Sequence, residues 1–364
     1  MPVENQVSQK RESLKRRIRA GWYKSLADVL LDDIIGRFLQ RLFKSVKPVS
    51  FWYSGMVLSL VILAMGALVA IIAGEFSFFT GWQALGVAWV VAVGLAIVLG
   101  FKIILHLFLE TLSKSAIDAI ESEKDLGDLQ ATLEGLFNKR NQLWACLAMG
   151  ALALFWPLVW QKMGVSFPGW GATLVVVLVF FESGVGIHFI LVTLILPARL
   201  SRYQFKAYGI DPHSSQVVER LSDTVNKSVL IGAIAGAIFS LGVAFLGALQ
   251  YTLYVLWMLV IWGIIIVMFA NNQYAVTRII QRAKRKKLYE IQAKIERLEA
   301  EGNVADKETL EAINRLVDYH DRIKATPNSA LDVRAILNLL NSLLLPLIGF
   351  LLGNIQTVLG LLKR

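Results

Sequence analysis

The chain of 364 residues is 56% hydrophobic and only 18% charged, with a formal charge of +10. Soluble domains carry nearer about 25% charged residues. The apolar surplus here lies in blocks of the roughly 20 residues that a bilayer-spanning helix needs, which excludes a soluble globular protein. The single cysteine, Cys146, excludes an internal disulfide framework and a cysteine-based zinc site.

Residues 1–50 hold eleven Lys/Arg and no apolar block suited to a cleaved leader. The string SQKRESLKRRIRA at 8–20 reads as a loose basic arm facing lipid. Beyond it, Leu30, Ile34, Phe38 and Leu42 fall on one helical stripe and Arg37, Arg41, Lys44 and Lys47 on another, and Pro48 closes the pattern. This predicts an amphipathic helix lying on the inner leaflet; packing against the protein's own cytoplasmic part is the alternative.

Six long apolar segments follow, at about 51–73, 82–103, 143–162, 172–197, 229–249 and 251–271. Short links (74–81, 163–171 and the vicinity of Gln250) join them in pairs, and long polar links separate the pairs. Three helical hairpins are predicted. Of the thirty-seven Lys/Arg, only Lys162, where the third segment meets its short link, falls at the tight-turn side of a hairpin. By the positive-inside rule the polar regions and both termini face the cytoplasm, and the three tight turns face outward. The same distribution accounts for the basic excess by topology and by anionic inner-leaflet lipid, which removes nucleic acid as a partner. Trp52, Trp82, Trp160 and Trp170 lie near predicted helix ends, where indoles favour the headgroup zone.

After the third hairpin, Tyr274–Glu301 reads as a charged helix with Leu288, Ile291, Ile295 and Leu298 on one stripe. Gly302 and Asn303 break it, and Asp306 opens a second helix carrying Leu310, Ile313 and Val317. Residues 274–326 are therefore expected to form an antiparallel cytoplasmic hairpin, a possible docking element for a protein partner. Lys284, Arg285, Lys286 and Lys287 are candidate contacts for anionic lipid. Residues 327–364 open with the capping pair Ser329 and Asp332, and Leu-rich 335–362 is interrupted by Pro346 and Gly349. A re-entrant or interfacial segment is expected there, with a seventh span as the alternative.

The fold class read from these features is all-α: a polytopic protein of the cell membrane with six spans in three hairpins. The hairpins occupy 51–110, 143–197 and 229–273, joined by cytoplasmic linkers at 111–142 and 198–228.

Glu182 stands out because a carboxylate near the middle of a span costs several kcal/mol unless protonated, paired or wetted. Ser183 adjoins it, and His188 follows six residues on. Lys102, His106 and Glu110 share one face at the inner end of the second segment, as a vestibule lining or as a solvated helix end. Asn271, Asn272 and Gln273 form an uncharged polar cluster suited to a pore mouth. Small residues at Gly232, Gly236 and Ser240 recur every four positions, a spacing that lets helix backbones approach closely. Phosphate-loop, hydrolase and metal-site motifs are absent, so no catalytic role and no cofactor are expected. Three readings stay open: an oligomeric ion-conducting pore gated by cytoplasmic helices, a non-catalytic membrane scaffold, and a proton-coupled transporter using Glu182.

The topology has a direct check. Cysteine placed at Phe78, in a Cys146→Ser background, is labelled from outside sealed cells, whereas cysteine at Asn303 is not. Labelling at position 303 overturns the assignment.

Overall fold

Runs of Leu, Ile, Val and Ala without internal breakers saturate their backbone hydrogen bonds within each segment, so this chain folds as helices. The computed structural model describes residues 3–44, 49–155, 157–158, 169–206, 215–245, 252–301 and 307–326. No strand occurs among them, only an isolated bridge between Ile120 and Phe205. The turn 163–168, Trp160, the link at Gln250, the breaks at 302–306, Lys47, Pro48 and the C-terminal stretch 327–364 lie outside the described residues.

At the N-terminus, α1 (Val3–Arg19) precedes α2 (Leu26–Asp28), which continues through a π-helical turn, Val29–Gly36, into α3 (Arg37–Leu42). The first hairpin comprises α4 (Phe51–Ala73) and α5 (Gly81–Thr111); α5 runs on through a π turn, Leu112–Ala116, into α6 (Ile117–Ala119). Next come α7 (Glu123–Leu136), α8 (Lys139–Ala153) and α9 (Trp170–Leu200). The series closes with α10 (Gln216–Phe245), α11 (Thr252–Glu301) and α12 (Lys307–Ala325).

Five helices are long and apolar enough to cross a membrane: Phe51–Ala73, Gln83–Ala119, Trp170–Leu200, Gln216–Gly242 and Leu256–Ala300. This is a helical membrane protein. The expected third span is described only as the fifteen-residue helix Lys139–Ala153, which is shorter than a bilayer requires. Helix α11 continues unbroken for 50 residues, about 75 Å, well beyond the roughly 30 Å hydrocarbon core.

Helix α9 is the axis of the bundle, packing against α4, α5, α8 and α11. At its start, Glu75 accepts the amides of Trp170 (2.6 Å) and Gly171 (2.9 Å), so the turn of the first hairpin caps the second. Gly169, at φ +91°, makes room for this: a Cβ there would lie 2.5 Å from Glu75 Oε2. Two residues further in, a Cβ on Gly171 would lie 2.6 Å from the carbonyl oxygen of Gly66 on α4.

The opposite, basic end is a folded cap. The basic arm is not loose, because α1 is helical and buries Val7, Leu14 and Ile18 in the same core as Leu126, Leu129 and Leu133 of α7. Lys10 pairs with Glu123 (3.2 Å), Lys15 with Asp118 (2.5 Å) and Arg17 with Glu134 (3.1 Å). The acidic residues between the spans therefore hold the cations expected to meet lipid. The linkers also meet: Lys206 N donates to Ala119 O at 2.7 Å and Glu121 N to Gln204 O at 3.0 Å. Arg282 of α11 donates to Ser201 O at 2.7 Å, and Lys286 pairs with Glu121.

The stripe Ile34, Phe38 and Leu42 is exposed beside exposed Arg37, Arg41 and Lys44, while Leu31 and Leu39 turn into the protein. One face of this segment is therefore open, apolar and basic, while its second apolar face holds it to the bundle. On α11 the expected stripe of Leu288, Ile291, Ile295 and Leu298 is buried or half-buried, whereas on α12 only part of the expected stripe turns inward. Ile313, Leu316 and Ile323 face inward, leaving Leu310 and Val317 exposed. At the tight turn, Phe78 is buried and Phe76 is 83% exposed, so Phe76 is the better labelling position.

Tyr203 donates to Asp128 Oδ2 at 2.7 Å, tying the end of α9 to α7. Burial, reinforced by the Asp128 carboxylate, raises the phenol's pKa above its ordinary value of 10.0. A group raised in the folded state contributes its stability below the unfolded value and loses it as pH climbs past that value. The melting temperature therefore falls above about pH 10. Tyr203→Phe flattens this decline, at a cost near neutrality of about 1 kcal/mol. Tyr23, also raised by burial, accounts for a residual slope. An unchanged alkaline profile in the variant refutes the assignment to Tyr203.

Candidate functional site

Glu182 lies midway along α9 and is 8% exposed. It is enclosed by the chain itself. Its Oε2 is 3.2 Å from where a Cβ on Gly94 of α5 would sit, and that Cβ would also lie 2.8 Å from Val179 Cγ1. Glycine at 94 is what leaves space for the carboxyl. Two residues along, a Cβ on Gly184 would lie 2.3 Å from Cys146 Cα, so α8 and α9 cross at backbone contact beside the same site. Glu182 Oε1 is buried and has no hydrogen-bond partner. Ser183 does not supply one; its hydroxyl donates to Val179 O on its own helix at 2.8 Å.

His188 is buried further along α9, hydrogen-bonded to the main chain of Asn141 on α8, and its Nδ1 is unpartnered. Glu182 and His188 thus belong to one interior seam where α9 meets α8, two helical levels apart. A buried carboxyl and a buried imidazole, each with an unsatisfied atom, can hold a proton, water or a small cation inside the bundle.

The remaining candidates divide differently from their sequence grouping. Lys102 is part-buried and pairs with Asp28 (3.5 Å) and with Asp32, fastening the segment 26–42 to α5. The His106 side chain is 80% exposed, and Glu110 pairs with Lys114. Lys102, His106 and Glu110 therefore do not line a common vestibule, because Asp28 and Asp32 cover the first of them. Asn271 donates to Leu194 O at 3.0 Å and Gln273 to Asn226 at 2.8 Å, which puts the polar cluster inside the bundle. Asn272, between them, is fully buried.

A Cβ on Gly236 would meet Ile265 Cδ1 of α11 at 2.9 Å, whereas one on Gly232 would meet Phe189 of α9 only at 3.6 Å. Ser240 accepts from Trp262 Nε1 at 3.0 Å and donates to Gly236 O, a polar tie between α10 and α11. In the basic run, Lys284 is buried and donates to Lys324 O (2.8 Å) and Thr326 O (2.7 Å), closing the end of α12. With Lys286 on Glu121, half of the run is engaged with protein.

Sequence reasoning missed Glu75, Gly94 and Trp262. A carboxylate in a short apolar turn and a tryptophan inside a span were the available signals for Glu75 and Trp262; Gly94 carried none apart from its neighbours. No metal-binding group of three or more His, Cys, Asp or Glu occurs among the described residues. Compared with protein-family models, curated proteins and solved structures, the chain matches none.

The space at Gly94 can be tested directly. Gly94→Ala must displace Val179 and the Glu182 carboxyl, at a cost of about 1–3 kcal/mol for overpacking. Gly263→Ala, where nothing lies within 4 Å, should leave the melting temperature in detergent unchanged or raised. Equal tolerance of the two substitutions refutes the packing at Glu182.

Proposed function

We propose that the protein conducts protons or small cations across the cell membrane, along a path through the interior of one chain past Glu182. The observation that carries this reading is the buried carboxyl with an unpartnered oxygen, given room by Gly94. A carboxylate in hydrocarbon is expensive unless its environment supplies a proton, water or counter-charge, so its retention favours a functional role. The reading keeps six spans in three hairpins, cytoplasmic termini, no catalysis and no cofactor. A position within one chain means that assembly into a homo-oligomer is not needed to build the path. The basic-end cap, in which α11 continues beyond the span and touches both linkers, gives cytoplasmic events a mechanical route to the bundle.

A second reading, a membrane scaffold acting on lipid, is favoured by the exposed Ile34, Phe38 and Leu42 beside Arg37, Arg41 and Lys44. Flux separates the two. Purified protein in liposomes is expected to conduct, and Glu182→Gln, which keeps volume but removes the titratable charge, is expected to change conductance or its pH dependence while the fold survives. No flux in the wild type leaves the scaffold reading. Flux unaltered in Glu182→Gln, with Glu182→Leu destabilised by about 1–2 kcal/mol, assigns the carboxyl to helix packing alone.

A further inference from the structure

A second polar region lies on the same face of α9, closer to the basic end. Glu182 and Thr193 are eleven residues apart. At 3.6 residues per turn they stand only about 20° apart around the helix and about 16 Å apart along it. Around Thr193, three polar ties bring four helices together. Asn271 Nδ2 donates to Leu194 O at 3.0 Å, joining α11 to α9. Gln273 Nε2 donates to Asn226 Oδ1 at 2.8 Å, joining α11 to α10. The hydroxyls of Thr111 and Thr224 are 2.6 Å apart, joining α5 to α10.

Asn272 sits between the first two ties, is 0% exposed, and has no partner for either Nδ2 or Oδ1. Thr193 and Ser228 are also fully buried. Their hydroxyl protons are already committed, Thr193 to Phe189 O at 2.9 Å and Ser228 to Val225 O at 2.7 Å. What each has left to offer is oxygen lone pairs, and Asn272 Oδ1 adds another acceptor. The buried oxygens of Thr193, Ser228 and Asn272 are thus acceptors with no donor assigned to them, and Asn272 Nδ2 is likewise unused. A fully buried carboxamide with nothing to bond calls for an occupant.

We propose that Asn272 and Thr193, with Ser228 and the Thr111–Thr224 pair at the same level, form a binding site for a desolvated monovalent cation, sodium or potassium. Neutral hydroxyl and carboxamide oxygens suit hard alkali cations. The five residues carry no carboxylate, so nothing in the layer offsets the charge of a divalent ion. The site rests on the reading of this bundle as an ion path, for which it is a station inward of Glu182, but its test measures binding rather than flux.

The full chain in detergent is melted in sodium, potassium or N-methylglucamine chloride at equal ionic strength, which holds surface screening constant. Sodium or potassium is expected to raise the melting temperature by about 3 °C or more over the organic cation. The increment disappears in Asn272→Leu and shrinks in Thr193→Val, and it persists in the control Ile234→Leu, at an exposed position. If Asn272→Leu does not fold, Thr193→Val, which removes one hydroxyl at nearly constant volume, carries the comparison. Equal melting in all three salts for the wild type overturns the site. So does an undiminished increment in the variants, or a salt-independent drop, which identifies the occupant as water. An intact salt effect in a protein that conducts nothing would sink the ion path and leave the binding site standing.

Discussion

Close backbone contact along α9 is the constraint on which the bundle depends. In hydrocarbon, helices gain nothing from burying apolar surface against one another, so shape and polar ties decide how they associate. Glycines on α9 and its partners permit contact at Gly66–Gly171 with α4, at Gly94–Val179 with α5 and at Gly184–Cys146 with α8. Side chains at those points would force the neighbours apart. Glu75 adds a directional lock by accepting the first free amides of α9. The interior position of Glu182 follows from this arrangement, since helices packed so tightly on three sides leave only the glycine-lined gaps for a carboxyl.

Polar groups are sorted by depth. Near the middle, Glu182 and His188 carry titratable atoms without partners; toward the basic end an uncharged layer of threonine, serine and asparagine takes over. Outside the spans, charges find opposite charges on other elements, as in Lys15–Asp118 and Lys286–Glu121. Solvent-facing pairs such as Lys286–Glu121 contribute little stability singly, typically about 0–1 kcal/mol. Their value here is geometric, because they join α1, α6 and α11 into one cap over the linkers. The apolar contacts of Leu14 and Ile18 with α7 supply the adhesion.

The segment 26–42 shows how one sequence pattern serves two surfaces. Its Ile34, Phe38 and Leu42 stripe stays open, while Leu31 and Leu39 pack inward and Lys102 clamps Asp28 and Asp32 from α5. Whatever pulls on the exposed stripe is thereby coupled to the helix that faces Glu182 through Gly94.

Helix type and most span positions were legible from periodicity and the length of the apolar runs, because a backbone in lipid must satisfy its hydrogen bonds within each helix. Glu182 and His188 were legible too, since a polar residue inside an apolar run is conspicuous whatever surrounds it. Partners were not. Lys284 read as a lipid contact until the end of α12 arrived beside it, and Lys102 read as a vestibule lining until Asp28 and Asp32 covered it. On α12 the expected stripe was right at Ile313 but not at Leu310 and Val317, which are as apolar as the buried Ile313 and Ile323. Hydropathy along a chain records what each residue prefers. Which carboxylate meets which lysine, and which glycine opens space for a carboxyl, is decided only when distant segments pack, through contacts made far apart in sequence.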